Sequence, residues 1–187
     1  MRRLVALAVL LAACSPGAVT TSGPAATTTT VPPVTTATHP TVPTVDHDRP
    51  LAPDFTFELA DGTTFTLSKA GKPVYLVFWA EWCPICRKEL PVVDEISARY
   101  AGQVEFIAPA WRSDPGYAEQ GAAELFDSGV IRWGLDDEER IFSLYGVSYQ
   151  PVTILIAADR TVYDQWAGVR DLEEIEQAIE GLIAVTG

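Results

Sequence analysis

The chain has 187 residues and a formal net charge of −12, with two histidines and three cysteines. This length allows one domain of ordinary size plus a tail, because single domains cluster near roughly 100 to 150 residues. The acidic balance argues against a nucleic-acid partner, since no run of Lys or Arg follows the first three residues. His39 and His47 both precede the predicted globular part of the chain, so any chemistry there must rest on sulfur or carboxylates.

Residues 1–13 are typical of an export signal. Arg2 and Arg3 are followed by an apolar run over 4–13, which is too short for a membrane-spanning helix of roughly 20 residues. The ending Leu-Ala-Ala-Cys at Cys14 resembles the lipobox of bacterial lipoproteins. This resemblance implies a lipid on Cys14 and anchoring to the outer face of the cell membrane. An ordinary secretory signal with an idle Cys14 is the alternative.

Residues 14–50 form a low-complexity segment, in which Thr and Pro supply half of positions 15–50. Such a composition buries no core, and its prolines bias the backbone towards extended conformations. We therefore predict a lipid-anchored, disordered linker that reaches at most on the order of 100 Å. The folded domain is predicted to span residues 51–187.

The domain begins with a predicted β-hairpin. Segments 55–59 and 63–67 alternate apolar and polar residues around the turn dipeptide Asp61-Gly62. A continuous apolar run over 74–79 then predicts a strand that is covered on both faces.

The rest of the domain alternates helical and extended patterns. In chain order we predict a helix through Leu90, Val93, Ile96 and Tyr100, a strand over 104–108, helices over 115–128 and 138–145, strands over 152–157 and 161–166, and a last helix whose capping box is Asp171 with Glu174. This order predicts an α/β fold with a central mixed sheet and helices on both of its faces.

Cys83 and Cys86 lie directly after the apolar strand, at the start of the long helix. Residues three apart at a helix start are close enough to form a disulfide. Pro84 is predicted to occupy the first helical position, which needs no amide hydrogen. The helix dipole favours a thiolate at Cys83, the predicted nucleophile, and Cys86 would resolve a mixed disulfide by attacking the Cys83 sulfur.

Three other interpretations of the pair are less consistent with its chemistry. A structural disulfide across four residues stabilises little, because it removes little loop entropy. Metal binding would need further Cys or His ligands, and covalent haem attachment would need His where Arg87 stands. Redox exchange is therefore predicted, with no metal and no organic cofactor.

Residues 52–185 resemble thioredoxin-like proteins. The run 78–83, Phe-Trp-Ala-Glu-Trp-Cys, is similar to the end of the active-site strand in thioredoxins. The opening Ala-Pro-Asp-Phe at 52–55, the hairpin and Gln150-Pro151 resemble more closely the TlpA/ResA-type and DsbE-like proteins. The resemblance implies a thioredoxin-like fold with an N-terminal β-hairpin.

The resemblance also implies site residues. The Gln150-Pro151 bond would be cis and would pack against the cysteine pair, a trans bond being the alternative. Pro151 is thus a predicted catalytic residue. Trp82, Pro84, Ile85 and Gln150 are predicted to contact substrate.

The chain departs from thioredoxins at Val77, where those proteins carry a buried aspartate that helps to move protons. Glu89 matches a glutamate found near the site in ResA-type proteins, and we predict that it takes over this role. A solvated acid in the first helical turn is the alternative for Glu89.

Together these residues predict an extracytoplasmic thiol-disulfide oxidoreductase. Its partners would be the thiols or disulfides of exported proteins and a membrane redox partner that recharges the pair. Val77 and the DsbE-like Gln150-Pro151 favour disulfide formation. The alternatives are a reductase for apocytochrome c or other exported thiols, a peroxidase resolved by Cys86, and a non-enzymatic binding lipoprotein with an inert disulfide.

Overall fold

The computed structural model describes residues 49–186. The predicted signal peptide, Cys14 and nearly all of the predicted linker lie outside the described residues. Within residues 49–186, no helix has the length and apolar character needed to cross a membrane.

The described residues form two small sheets and four α-helices. The elements are β1 (Thr56–Glu58), β2 (Thr64–Thr66), β3 (Val74–Phe78), α1 (Cys86–Arg99), β4 (Glu105–Trp111), α2 (Pro115–Leu125), β5 (Arg132–Asp136), α3 (Arg140–Leu144), β6 (Val152–Ile156), β7 (Val162–Ala167) and α4 (Leu172–Ala184). Strands β1 and β2 form the predicted antiparallel hairpin. The remaining strands form one sheet in the order β5-β4-β3-β6-β7.

The central sheet is mixed, as predicted. Strand β3 runs parallel to β4 and antiparallel to β6, β4 runs parallel to β5, and β7 runs antiparallel to β6. All five residues of β3 are buried, because successive side chains enter the cores on opposite faces of the sheet. One core packs helices α1, α2 and α4, and the other packs the hairpin and α3. The central strand is thus held on both sides.

Strand β5 is missing from the order of elements that the sequence predicts. It is a five-residue strand at one edge of the sheet, and three of its residues, Arg132, Trp133 and Leu135, are only partly buried. Gly134 is needed there because a Cβ atom would collide with the carbonyl oxygen of Glu58 in the hairpin. The Ala60 N–H also donates to the Trp133 carbonyl at 2.8 Å. The contacts of β5 with the hairpin thus join residues that are far apart in the sequence, and a local pattern does not predict them.

Two predicted helix positions need correction. Helix α1 begins at Cys86, so Pro84 lies in the preceding turn and not at the first helical position. Helix α2 ends at Leu125, three residues before the predicted end, where Phe126 leaves the helical conformation. The predicted capping box of α4 is confirmed, since Asp171 accepts the Glu174 N–H at 2.9 Å and Glu174 accepts the Asp171 N–H at 3.0 Å.

Candidate active site around the cysteine pair

Cys83 and Cys86 form a disulfide with their Cα atoms 5.3 Å apart. The pair follows the carboxyl end of β3, and both residues are almost fully buried. The Cys86 backbone N–H donates to the Cys83 Sγ at 3.1 Å. The first turn of α1 therefore directs an amide dipole at the sulfur of Cys83, which favours negative charge there.

The Gln150-Pro151 loop lies beside this pair. Its peptide bond is cis. The Gln150 carbonyl oxygen is 3.7 Å from the Cys83 Sγ, and the Pro151 carbonyl accepts the Gly168 N–H at 3.0 Å. Chain folding thus brings the predicted proline loop to the sulfur, from 67 residues further along the chain.

Glu89 lies one helical turn beyond Cys86 on α1 and has no exposed surface. Its Oε1 accepts the indole N–H of Trp166 at 3.3 Å, whereas its Oε2 has no hydrogen-bond partner. Burial raises the pKa of Glu89 to about 7, although the Trp166 hydrogen bond and the charge of Arg170 oppose this rise. Glu89 is therefore a buried acid, and the alternative of a solvated first-turn acid is wrong.

Val77 is fully buried on β3 and stands opposite Thr153 on β6. The Thr153 side chain lies close enough to Tyr75 to oppose the rise of its pKa, although neither hydroxyl makes a hydrogen bond of standard geometry within the described residues. Burial, reinforced by the nearby Glu89, raises the pKa of Tyr75 above its ordinary value. The position of the thioredoxin aspartate is thus apolar here, and polar groups lie around it.

A family model described as Redoxin matches residues 48–179. The chain belongs to the Redoxin family. It is 30% identical over 109 residues to the thiol-disulfide oxidoreductase ResA of Bacillus thuringiensis, a match that covers 57% of this chain and only 61% of that protein.

Two solved structures resemble this redoxin along nearly their whole length. A putative thiol:disulfide interchange protein DsbE from Chlorobium tepidum is 32% identical, with a TM-score of 0.65 over 72% of this chain and 96% of that chain. A secreted Mycobacterium tuberculosis disulfide oxidoreductase, homologous to E. coli DsbE, is 26% identical, with a TM-score of 0.62 over 68% of this chain and 96% of that one. The thioredoxin-like fold and the ResA- and DsbE-like subgroup predicted from the sequence are confirmed.

Exposed side chains flank the cysteine pair of this redoxin. Trp82 is 58% exposed and Ile85 48% exposed, Pro84 is also exposed, and Gln150 is half-buried. Two further exposed apolar residues, Tyr149 and Val169, were missed from the sequence. Tyr149 precedes Gln150, and Val169 follows Gly168, whose N–H bonds the Pro151 carbonyl. Isolated aromatic or apolar residues in loops carry no sequence signal of their own.

Four residues around the buried acid were missed from the sequence: Trp166, Tyr75, Thr153 and Arg170. Among residues 49–186, no three His, Cys, Asp or Glu side chains are grouped so as to hold a metal ion. Around the disulfide, the described residues offer two sulfurs and the buried acid Glu89.

Proposed function

We propose that this redoxin exchanges disulfides with exported proteins through Cys83 and Cys86. The observation that carries the proposal is the Cys83 sulfur, which lies between the Cys86 N–H and the Gln150 carbonyl. An inert structural bridge needs neither contact. The relatives named as oxidoreductases support the same chemistry.

Disulfide formation in a substrate proceeds in two balanced steps. A substrate thiolate attacks the Cys83 sulfur, a mixed disulfide forms, and Cys86 leaves as a thiolate. A second substrate thiolate then attacks the substrate sulfur of the mixed disulfide and releases Cys83 as a thiolate. The substrate loses two electrons and two protons, and the cysteine pair gains two electrons and becomes a dithiol after protonation.

Glu89 is proposed to exchange a proton with Cys86. Glu89 lies one helical turn after Cys86, and both side chains are buried. It is the first acidic residue of α1. With a pKa of about 7, its carboxyl holds and releases a proton near neutral pH. A thiolate formed at Cys86 inside the core would thereby be neutralised as it leaves.

The proposed direction is disulfide formation, outside the cytoplasm. The secreted mycobacterial relative and the apolar Val77 support this direction, and a reductase for apocytochrome c or other exported thiols is the opposite outcome. We further propose that a lipid on Cys14 anchors the domain to the cell membrane and that a membrane redox partner reoxidises the pair. The predicted linker would hold the domain away from the lipid surface.

Activity of the purified full chain tests the exchange chemistry. We expect it to oxidise a model dithiol peptide or to reduce insulin, and we expect Cys83→Ser to do neither. Cys14→Ser is the matched control, because it removes a sulfur but leaves the proposed site intact. An inactive wild-type protein would reject the enzyme in favour of a binding lipoprotein with an inert disulfide.

Two experiments in cells test direction and anchoring. Acid quenching followed by thiol labelling is expected to find Cys83 and Cys86 mainly as a disulfide, whereas a mainly dithiol form would show a reductase. Metabolic labelling with a fatty acid is expected to mark the wild-type chain and not Cys14→Ser. An unlabelled, freely soluble wild-type product would reject the anchor.

A further inference from the structure

Trp166 donates the one hydrogen bond that the side chain of Glu89 accepts within the described residues. Thr153 on β6 stands opposite both Val77 on β3 and Trp166 on β7, so these residues share the sheet face that α1 covers. The indole Nε1 donates to the Glu89 Oε1 at 3.3 Å across a separation of 77 residues. The sheet thus presents an N–H group to the buried acid of the helix.

The orientation of this indole is fixed by its neighbours. The Tyr75 ring meets it edge-on, with centroids 5.9 Å apart and planes at 78°. The Arg170 guanidinium stacks over the face of the indole, with its Cζ 3.9 Å from the ring centroid, and forms an ion pair with Asp164 at 2.8 Å. These contacts leave the N–H aimed at Glu89.

The hydrogen bond from Trp166 stabilises the ionised carboxylate of Glu89 more than the neutral acid. A donor strengthens its bond when the acceptor becomes negatively charged. The other carboxyl oxygen has no hydrogen-bond partner among the described residues, so Trp166 is the one neutral donor there that stabilises the carboxylate. Its contribution therefore acts on proton release and not only on packing.

Other charged or titratable groups around Glu89 do not replace this donor. They are Cys86 on α1, Tyr75 on β3, and Asp164 on β7 with its partner Arg170. Glu176 and Glu180 of α4 face the far end of α1 instead, where they bond Arg99 and Tyr100. Among the described residues, Arg170 alone adds positive charge near the carboxyl, and Asp164 partly neutralises it.

We propose that Trp166 is a positioning residue for thiol-disulfide exchange, whose indole N–H fixes the Glu89 carboxyl and stabilises it after it has given its proton to Cys86. This inference rests on the proposed function. The proton moves from the carboxyl oxygen to the Cys86 thiolate, and the carboxylate that remains keeps the N–H bond. No further reactant is needed.

Trp166→Phe removes the N–H and keeps an aromatic ring. The exchange rate of the full chain with a model dithiol peptide is measured against pH for the wild type, Trp166→Phe, Glu89→Gln and the double variant. We expect Trp166→Phe to move the midpoint of the profile upwards by about one pH unit, because the ionised acid loses its donor. Trp133→Phe, at the opposite edge of the sheet, should leave the profile in place.

A second measurement reads the carboxyl directly. The ¹³C shift of the Glu89 carboxyl, followed by NMR against pH, is expected to show the same upward move in Trp166→Phe. An unmoved titration, or a shift of the rate profile that persists in the double variant, would overturn the inference. Wild-type protein without exchange activity would instead reject the proposed function, so the two failures are distinguishable.

Discussion

The Cys86 backbone N–H, at the start of α1, points at the Cys83 Sγ from 3.1 Å. This amide is free of other helix partners because it precedes the first helical hydrogen bonds. The two cysteines therefore differ in electrostatic setting while lying only three residues apart.

This difference predicts unequal reactivity in the reduced protein. Iodoacetamide at near-neutral pH should alkylate Cys83 well before Cys86, because Cys83 faces the amide and the loop whereas Cys86 has no exposed surface. Mass spectrometry of peptides after timed quenching gives the ratio, which we expect to exceed about tenfold. Equal labelling would contradict the assignment of Cys83 as nucleophile.

The buried acid predicts a pH-dependent stability. Folding raises the pKa of Glu89 from an ordinary value near 4.5 to about 7, so between these values the folded state keeps a proton that the unfolded state has lost. The free energy of unfolding of the oxidised protein should therefore fall as pH rises through this window, by about 3 kcal/mol in all.

Urea unfolding at pH 4.5 and pH 7.5 measures this fall. Glu89→Gln should remove it, because an amide does not titrate, whereas the exposed Glu119→Gln should keep it. If Glu89→Gln retains the wild-type dependence on pH, the carboxyl does not titrate as proposed.

The capping box of α4 predicts a local effect on stability. Asp171→Ala removes the acceptor of the Glu174 N–H and should lower the free energy of unfolding by about 1 kcal/mol. Asp171→Asn keeps a capping oxygen and should cost clearly less. The denaturant midpoints of the two variants measure this difference. An equal loss of stability in both would assign the effect to the charge of Asp171 and not to its capping oxygen.

The contact between β5 and the hairpin predicts that Gly134 tolerates no side chain. An added Cβ would meet the Glu58 carbonyl oxygen and would lie 3.1 Å from the Leu59 Cα, both of which are backbone atoms. Gly134→Ala should therefore destabilise the fold by on the order of 1 to 3 kcal/mol, measured by urea unfolding. A neutral or stabilising change would mean that the hairpin moves away without cost.

Local patterns were sufficient for much of this fold. The apolar run of β3, the turn dipeptide of the hairpin and the capping box of α4 are local signals, and the structure contains all three elements. The position of Cys83 and Cys86 between a strand and a helix is equally local. These features were predictable because the residues that determine them are neighbours in the chain.

The missed features depend on distant partners. Strand β5 is held by Ala60 and shaped by Glu58, more than seventy positions before it. The environment of Glu89 is set by Trp166, and no motif within the predicted strand distinguishes a packing tryptophan from one that donates to an acid. Patterns in a single sequence do not predict which distant residues contact each other.

The hairpin that lies against β5 limits the pairing of this edge strand with strands of other copies. A sheet margin with free carbonyls and amides recruits strands from other copies, and here one β5 carbonyl is already bonded to Ala60 while Gly134 is covered by the hairpin backbone. Strand β7 forms the opposite margin. That margin is partly covered too, since the Val162 N–H donates to the Pro50 carbonyl at 2.9 Å, so among the described residues strand addition is opposed at a point on each edge strand.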